Sequence, residues 1–335
     1  MRARSLSRRR FLGGAAGTAA LAALTTACGE PAARTSLDAA DAAPGFPVTV
    51  PGRLGPTTVD RPPSRVVAVG YLRDTDTALA LGAPLVGTTT NPSFANGHAP
   101  WQQPPPDLPA MSTASGLPFE RIAGLAPDLI LATDDYSLAR DLPRLSAIAP
   151  TLGYQNGVGQ DLWSDTARRI GQVLGRTDAA EDAITRVQAQ VAATRAAHPE
   201  FTGKTITLGP VQSESQIYTV NSTTDASMRL FADLGFRLSP RVLGLPSTAT
   251  PGRTQVPPER LDLLDADVMV LPFTNPGVRA RLEANPLFRN LPAVQRGSYV
   301  PLDLPAAVAL GFPSLLSLPY GLDPTVPALA AAATR

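Results

Sequence analysis

"LPFERIAGLAPDLIL" (residues 117–131) and "VPPERLDLLDADVMVL" (residues 256–271) are two versions of one phrase. Each gives a proline, then Glu-Arg, then an apolar turn, then an Asp leading into a run of branched residues. A short apolar run bounded by turn signals suits a strand buried on both faces, as in a parallel sheet. In both copies a helical segment passes directly into such a strand. The repetition predicts two α/β halves of similar design, one copy in each.

The flanking sequence keeps the same grammar. "RVVAVG" (65–70), "PLVGTT" (84–89), "DLILAT" (128–133) and "PTLGYQ" (150–155) read as strands, with helical spacing in "DTDTALALG" and "YSLARDLPRLSAIA" between them. Ahead of them, "FPVTVPGRLGPTTVD" reads as a hairpin around a Gly-Pro turn. "DLWSDTARRIGQVLG" opens a helical region, and "AAEDAITRVQAQVAATRAAH" continues it without Gly or Pro. At 1.5 Å per residue, about twenty residues span roughly 30 Å, the width of a small domain. Strands resume with "KTITLG" and "SQIYTVN". The helical "DASMRLFADLGF" and "PERLDLLDA" follow, then the strand "DVMVLPF" and a last strand "SYVPLD". The expected class is therefore α/β: two lobes with central, mostly parallel sheets, joined by one long rigid helix. The expected bounds are a lobe at 45–177, a linking helix at 178–198 and a lobe at 199–335.

Composition narrows the function. Apolar residues make up 44% of the 335 residues, enough for a sizeable core. Five arginines and no acid precede Cys28; without that segment 24 basic and 28 acidic residues remain, a net of about −4. A mildly acidic body offers no electrostatic footprint for nucleic acid. Cys28 is the one cysteine, so neither an internal disulfide framework nor a cysteine zinc site can form. The two histidines, His98 and His198, lie far apart in sequence. The signatures G-x-S-x-G, H-E-x-x-H, the P-loop and G-x-G-x-x-G after a strand do not occur, so the chain reads as a non-enzyme without cofactor or protein-bound metal.

The first residues read as an address. A basic start precedes a run of small apolar residues from Phe11 to Ala27, the layout of an export signal over 1–27. That run is short of the ~20 residues a spanning helix needs. "SRRRFL" (7–12) resembles the twin-arginine export signal, departing only at Gly13. Cys28 stands where bacterial lipoproteins carry their lipidated first residue. The polar, proline-bearing stretch after it reads as a tether over 28–44.

In open α/β sheets ligands bind beyond the carboxyl ends of the strands. In the first half those loops hold Tyr71, Leu72 and Arg73, then His98 and Trp101, then Asp134, Asp135 and Tyr136. Tyr154 and Gln155 follow, with Trp163 a little beyond. In the second half they hold Gln212 and Ser213, Tyr218 and Asn221, Phe273 and Thr274, and Asp303. Aromatic side chains offer flat, weakly polar walls, and an arginine pairs with anionic oxygens. Arg73 is the best-placed cation. Asp134 and Asp135 also suit a helix start, and His198 suits the negative end of a helix.

In order and spacing, "RVVAVG", "LPFERIAGLAPDLILA", "ARRIGQVLG", "PERLDLLDADVMVL" and "NPLFRNLPAVQRGSYVPLD" resemble one family. It is the substrate-binding proteins of bacterial ATP-binding-cassette importers for iron-siderophores and cobalamin, and the resemblance covers Phe46 to Leu329. It implies an extracytoplasmic receptor, anchored to the outer face of the cytoplasmic membrane through lipid. The receptor would be a monomer that captures a ferric siderophore and hands it to an ABC permease. It also implies that Glu120 and Glu259, one per lobe, dock onto permease arginines. Haem, cobalamin or another chelate stay open as ligands, and so does a surface-anchored sensor without a transporter. The ligand-contacting set is Tyr71, Arg73, Trp101, Asp135, Tyr136, Tyr154, Trp163, Gln212, Tyr218, Phe273 and Asp303.

Overall fold

The computed structural model describes residues 44–335; the export signal, Cys28 and most of the tether lie outside them. The chain opens with the hairpin β1 (Val48–Val50) and β2 (Thr57–Val59), antiparallel with Val48 opposite Val59. Then come β3 (Val66–Ala68), α1 (Arg73–Ala80), β4 (Leu85–Thr89), β5 (Ala110–Met111), α2 (Phe119–Gly124), β6 (Leu129–Ala132), α3 (Leu138–Ser146), β7 (Thr151–Gly153) and α4 (Trp163–Val173). Strands β5-β4-β3-β6-β7, in that order, form a parallel five-stranded sheet.

The helix α5 (Thr177–Ala197) leaves this lobe. It is rich in alanine and contains neither Gly nor Pro, which favours an unbroken helix. Asp178 in its first turn and Arg195 in its last complement the dipole. His198 stands at its C-cap, where Nδ1 lies 2.8 Å from Glu200 Oε1 and the ring stacks on Phe201. The buried face of α5, including Ile184, Val187 and Val191, belongs to one apolar core with Val66 and Leu129 of the first sheet and Ile206 and Val268 of the second. It packs against α4 before the junction and against later helices after it.

The second lobe holds β8 (Thr205–Leu208), β9 (Val211–Ser213), β10 (Gln216–Val220), α6 (Ala226–Asp233), β11 (Arg237–Leu238), β12 (Arg253–Val256) and β13 (Val268–Pro272). It continues through α7 (Pro276–Ala284), α8 (Pro286–Arg289), α9 (Pro292–Gln295), β14 (Tyr299–Leu302), α10 (Leu304–Gly311) and α11 (Ser317–Ala333). Its parallel sheet runs β11-β8-β13-β14. The fold is thus a two-lobed α/β architecture.

The doubled phrase occupies equivalent positions. β6 lies between β3 and β7, and β13 lies between β8 and β14. The repeated Asp ties each central strand to its neighbour. Asp128 accepts from the backbone N–H of Ser64 and Arg65 at 2.8 Å each, just before β3. Asp267 accepts from the N–H and the hydroxyl of Thr205, at the start of β8, at 2.8 Å each.

One expectation needs correction. "PERLDLLDA" forms a 3-10 stretch, Pro258–Leu264, with non-helical backbone at Arg260. The break at Arg260 (φ −118°, ψ 35°) interrupts the segment, leaving pieces that close only short 3-10 turns. "SQIYTVN" is a strand, β10, and forms the centre of an antiparallel sheet ordered β12-β10-β9. "SYVPLD" is the last strand, β14, and α10 and α11 follow it and pack on each other.

Candidate functional site

The carboxyl ends of both parallel sheets open onto one cavity of about 770 Å³. The first lobe contributes Arg73, Tyr136 and the turn Val158–Gln160. The second contributes the loop after β8, the antiparallel hairpin with Gln212 and Tyr218, and the start of α6. Phe273 and Thr274 after β13, and Val308 and Phe312 of the α10 region, complete the wall.

Arg73 is placed by a buried polar framework. It is the first residue of α1 and is 4% exposed. The backbone N–H groups of Leu72 and Arg73 both donate to Asp134 Oδ2 at 2.9 Å, so a carboxylate from the loop after β6 fills the start of α1. Its Nη1 donates to the Asp161 carbonyl at 3.2 Å. Asp161 is held in turn by the N–H groups of Gln155 and Asn156, at 2.6 and 2.7 Å. The Nε of Arg73 is buried without a partner among the described residues. That N–H is closed off from solvent, so it is the outer end of the guanidinium that Arg73 brings to the cavity wall.

Behind Arg73, Asp74 accepts from the N–H and hydroxyl of Thr133 and from the N–H of Gly70. Burial, and the charge of Asp134 beside it, hold the Asp74 carboxyl well above the usual carboxylate range. Opposite, Arg253 pairs with Asp225 at 3.1 Å. Asp225 also caps α6, accepting from Ser227 N at 3.0 Å and Met228 N at 3.4 Å.

The structure divides the expected contact residues. Arg73, Tyr136, Gln212, Tyr218 and Phe273 line the cavity, with Thr274. Tyr71 stands one layer back, 4.7 Å from the Phe312 ring and 6.2 Å from the Tyr136 ring, with its hydroxyl 3.3 Å from Ser93 Oγ. The others lie away from the wall. Trp101 is buried, donates from Nε1 to Asp76 at 2.9 Å and packs on Phe94 and Tyr320. Tyr154 is buried in the core of the first lobe and faces a separate depression beside the β1–β2 hairpin. Trp163 packs half-buried against the main core at the start of α4. Asp135 closes a turn by accepting from Ser137 N at 2.9 Å, and Asp303 caps α10 through Ala306 N at 3.0 Å. Asn221 is buried and its side-chain amide donates to the Leu245 carbonyl and Thr254 Oγ1, at 2.6 Å each. His98 is half-buried, and burial lowers its pKa.

Sequence reasoning missed Phe231, Arg253 and Phe312. Phe231 carries the helical spacing of any core residue. Arg253 begins a strand that alternation alone did not reveal. Phe312 ends α10, beyond the last element read from the sequence.

A second contact joins the lobes beside the cavity. Asp76 of α1 is fully buried and accepts from Trp101 Nε1 at 2.9 Å, Gln102 Nε2 at 2.5 Å and Ser314 Oγ at 2.5 Å. Ser314 lies in the link between α10 and α11 of the other lobe. Around it, Leu72 and Trp101 pack with Val308 and Ala309. On the outer surface Glu120 is 87% exposed and 3.6 Å from Arg144, whose guanidinium covers the Phe119 ring; Glu259 is also exposed. No helix among the described residues is long and apolar enough to cross a membrane.

A family model described as "Periplasmic binding protein" matches residues 67–303. No curated protein matches the chain by sequence. Among solved structures, a periplasmic solute binding protein of Mycobacterium smegmatis is 28% identical, with TM-score 0.73, over 85% of this chain and 98% of that one. PiaA of Streptococcus pneumoniae, solved in complex with ferrichrome, is 24% identical, with TM-score 0.70, over 86% of this chain and 99% of that one. SirA of Staphylococcus aureus, complexed with staphyloferrin B, is 20% identical, with TM-score 0.67, over 84% and 98%.

Proposed function

The chain belongs to the periplasmic binding protein family, and from that premise we propose that it captures a ferric siderophore between its lobes and delivers it to an ABC permease. The family consists of binders rather than enzymes. The observation that carries the ligand class is the cavity itself. Its volume of about 770 Å³ falls in the range of small-molecule sites, roughly 300–1,000 Å³. Tyr136, Tyr218, Phe273 and Phe312 give it flat, weakly polar walls, and Arg73 brings a guanidinium to it. A chelator that already surrounds its iron asks the protein for shape and oxygen-binding donors, not for metal ligands. The fold likeness to PiaA with ferrichrome and to SirA with staphyloferrin B supports the same reading.

In this reading residues 1–27 are a twin-arginine export signal. Cys28 carries the lipid anchor, 28–44 is the tether, and the lobes at 45–177 and 199–335 flank a linking helix at 178–198. The receptor works as a monomer, and Glu120 and Glu259 are its two docking points. Exposed charges of this kind set orientation and on-rate more than affinity. The test is a titration with ferric siderophores, haem and cobalamin, read by tryptophan fluorescence. Saturable binding of a ferric siderophore is expected. Binding of haem or cobalamin alone overturns the assignment.

A further inference from the structure

Resting on the siderophore reading, we infer that this cleft selects ferric chelates that are neutral or singly negative, tris-hydroxamates being the type, and rejects trianionic tris-catecholates. The inference follows from the charges on the wall. Arg73 and Arg253 are its cations and Asp225 its carboxylate. Asp225 pairs with Arg253 at 3.1 Å, so those two cancel. Arg73 bonds a backbone carbonyl and forms no ion pair among the described residues. Arg73 is the one wall cation without an ion-pair partner among the described residues, so the cavity offers a ligand at most one positive charge.

Helix N-termini are the other common way to receive an anion, through their free N–H groups. Here each helix that starts at the wall is already filled by a carboxylate of the chain. Asp134 takes the N–H groups of Leu72 and Arg73 at the start of α1. Asp225 takes those of Ser227 and Met228 at α6. Asp303 takes that of Ala306 at α10. These ends are closed to an incoming anion, and their carboxylates repel one. The rest of the polar wall is neutral: Gln160, Gln212, Gln255, Thr224 and Thr274. Such groups satisfy amide and hydroxamate oxygens but do not neutralise charge. A trianionic chelate would leave two negative charges desolvated and unmatched between the lobes, where Coulomb terms are strong. A neutral tris-hydroxamate meets one charge-assisted donor and a set of dipoles.

The experiment compares ferrichrome, a neutral tris-hydroxamate, with ferric enterobactin, a trianionic tris-catecholate, by calorimetry. The proteins are the wild type, Asp225→Asn and Arg73→Gln, each checked for an unchanged melting transition. Wild type is expected to bind ferrichrome at least about a hundredfold more tightly. Asp225→Asn keeps a capping oxygen and frees Arg253, so the ratio of ferrichrome to ferric enterobactin affinity should fall about tenfold. Arg73→Gln should weaken ferrichrome about tenfold or more. Equal or tighter binding of ferric enterobactin by the wild type, or an Asp225→Asn change that shifts both chelates alike, overturns the charge argument and leaves the siderophore reading standing. Failure of both chelates to bind the wild type overturns both.

Discussion

Replacing Asp76 tests how the two lobes are held together beside the cleft. Its carboxylate accepts from Trp101 and Gln102 of its own lobe and from Ser314 of the other, all in buried surroundings. Asp76→Ala strands three buried donors, each costing about 1–3 kcal/mol. Against this stands the cost of keeping Asp76 ionised. Burial raises its pKa from 3.8 to about 6, only partly offset by Ser314, Gln102 and Trp101. At about 1.4 kcal/mol per tenfold change, that is about 3 kcal/mol at neutral pH. The net loss for Asp76→Ala is therefore about 3 kcal/mol at pH ~7.

The pH dependence has a definite sign. A carboxyl whose folded pKa is raised binds more protons in the native state, so its contribution is full below the unfolded pKa of 3.8 and is lost as pH rises through about 6. The loss for Asp76→Ala should then grow to about 5 kcal/mol near pH ~4.5. Asp76→Asn, which cannot titrate, sacrifices one donor contact but also the cost of ionisation. It should match or exceed the wild type near pH ~7 and fall about 1 kcal/mol below it near pH ~4.5. Asp74 titrates in the same direction in both proteins and cancels in the difference. Urea unfolding at the two pH values measures this. Wild-type and Asp76→Asn stabilities that run parallel from pH ~4.5 to ~7 would refute the reasoning, because Asp76 would then not titrate in that window.

Other outcomes follow from single contacts. Gly209→Ala places a methyl group against the Tyr218 carbonyl oxygen and 2.5 Å from Thr219 Cα, both backbone atoms. It should destabilise by about 2 kcal/mol or more and weaken ligand binding with it, as seen by thermal unfolding and calorimetry. Glu120→Ala with Glu259→Ala should leave ligand affinity within about twofold of wild type, since both side chains are exposed away from the cavity, while abolishing ligand transfer to the permease in an uptake assay. Preserved uptake would remove those two residues from docking.

Much of the architecture could be read from the chain because its signals are local. The wholly buried runs Leu129–Ala132 and Val268–Leu271 have one explanation, a central strand, and their preceding Asp residues make the same cross-strand bonds. The stretch without Gly or Pro from Thr177 to Ala197 is likewise one helix. The site was less legible. An aromatic residue in a loop satisfies its apolar surface equally well in a core or a cleft, and Trp101, Tyr154 and Trp163 turned inward. Asp135 and Asp303 have a turn and a helix start to serve, so their position after a strand says nothing about ligand. Arg73 was legible because the short link from the central strand β3 to α1 lies at the sheet's carboxyl end, and Arg73 begins that helix.

The most direct test of the account is a crystal structure of the protein with ferrichrome. The chelate should occupy the space between the lobes, with an oxygen about 3 Å from the Arg73 guanidinium and its body against Tyr218 and Phe273. A chelate seated anywhere outside that space, or one in it with Arg73 making no contact, would contradict it.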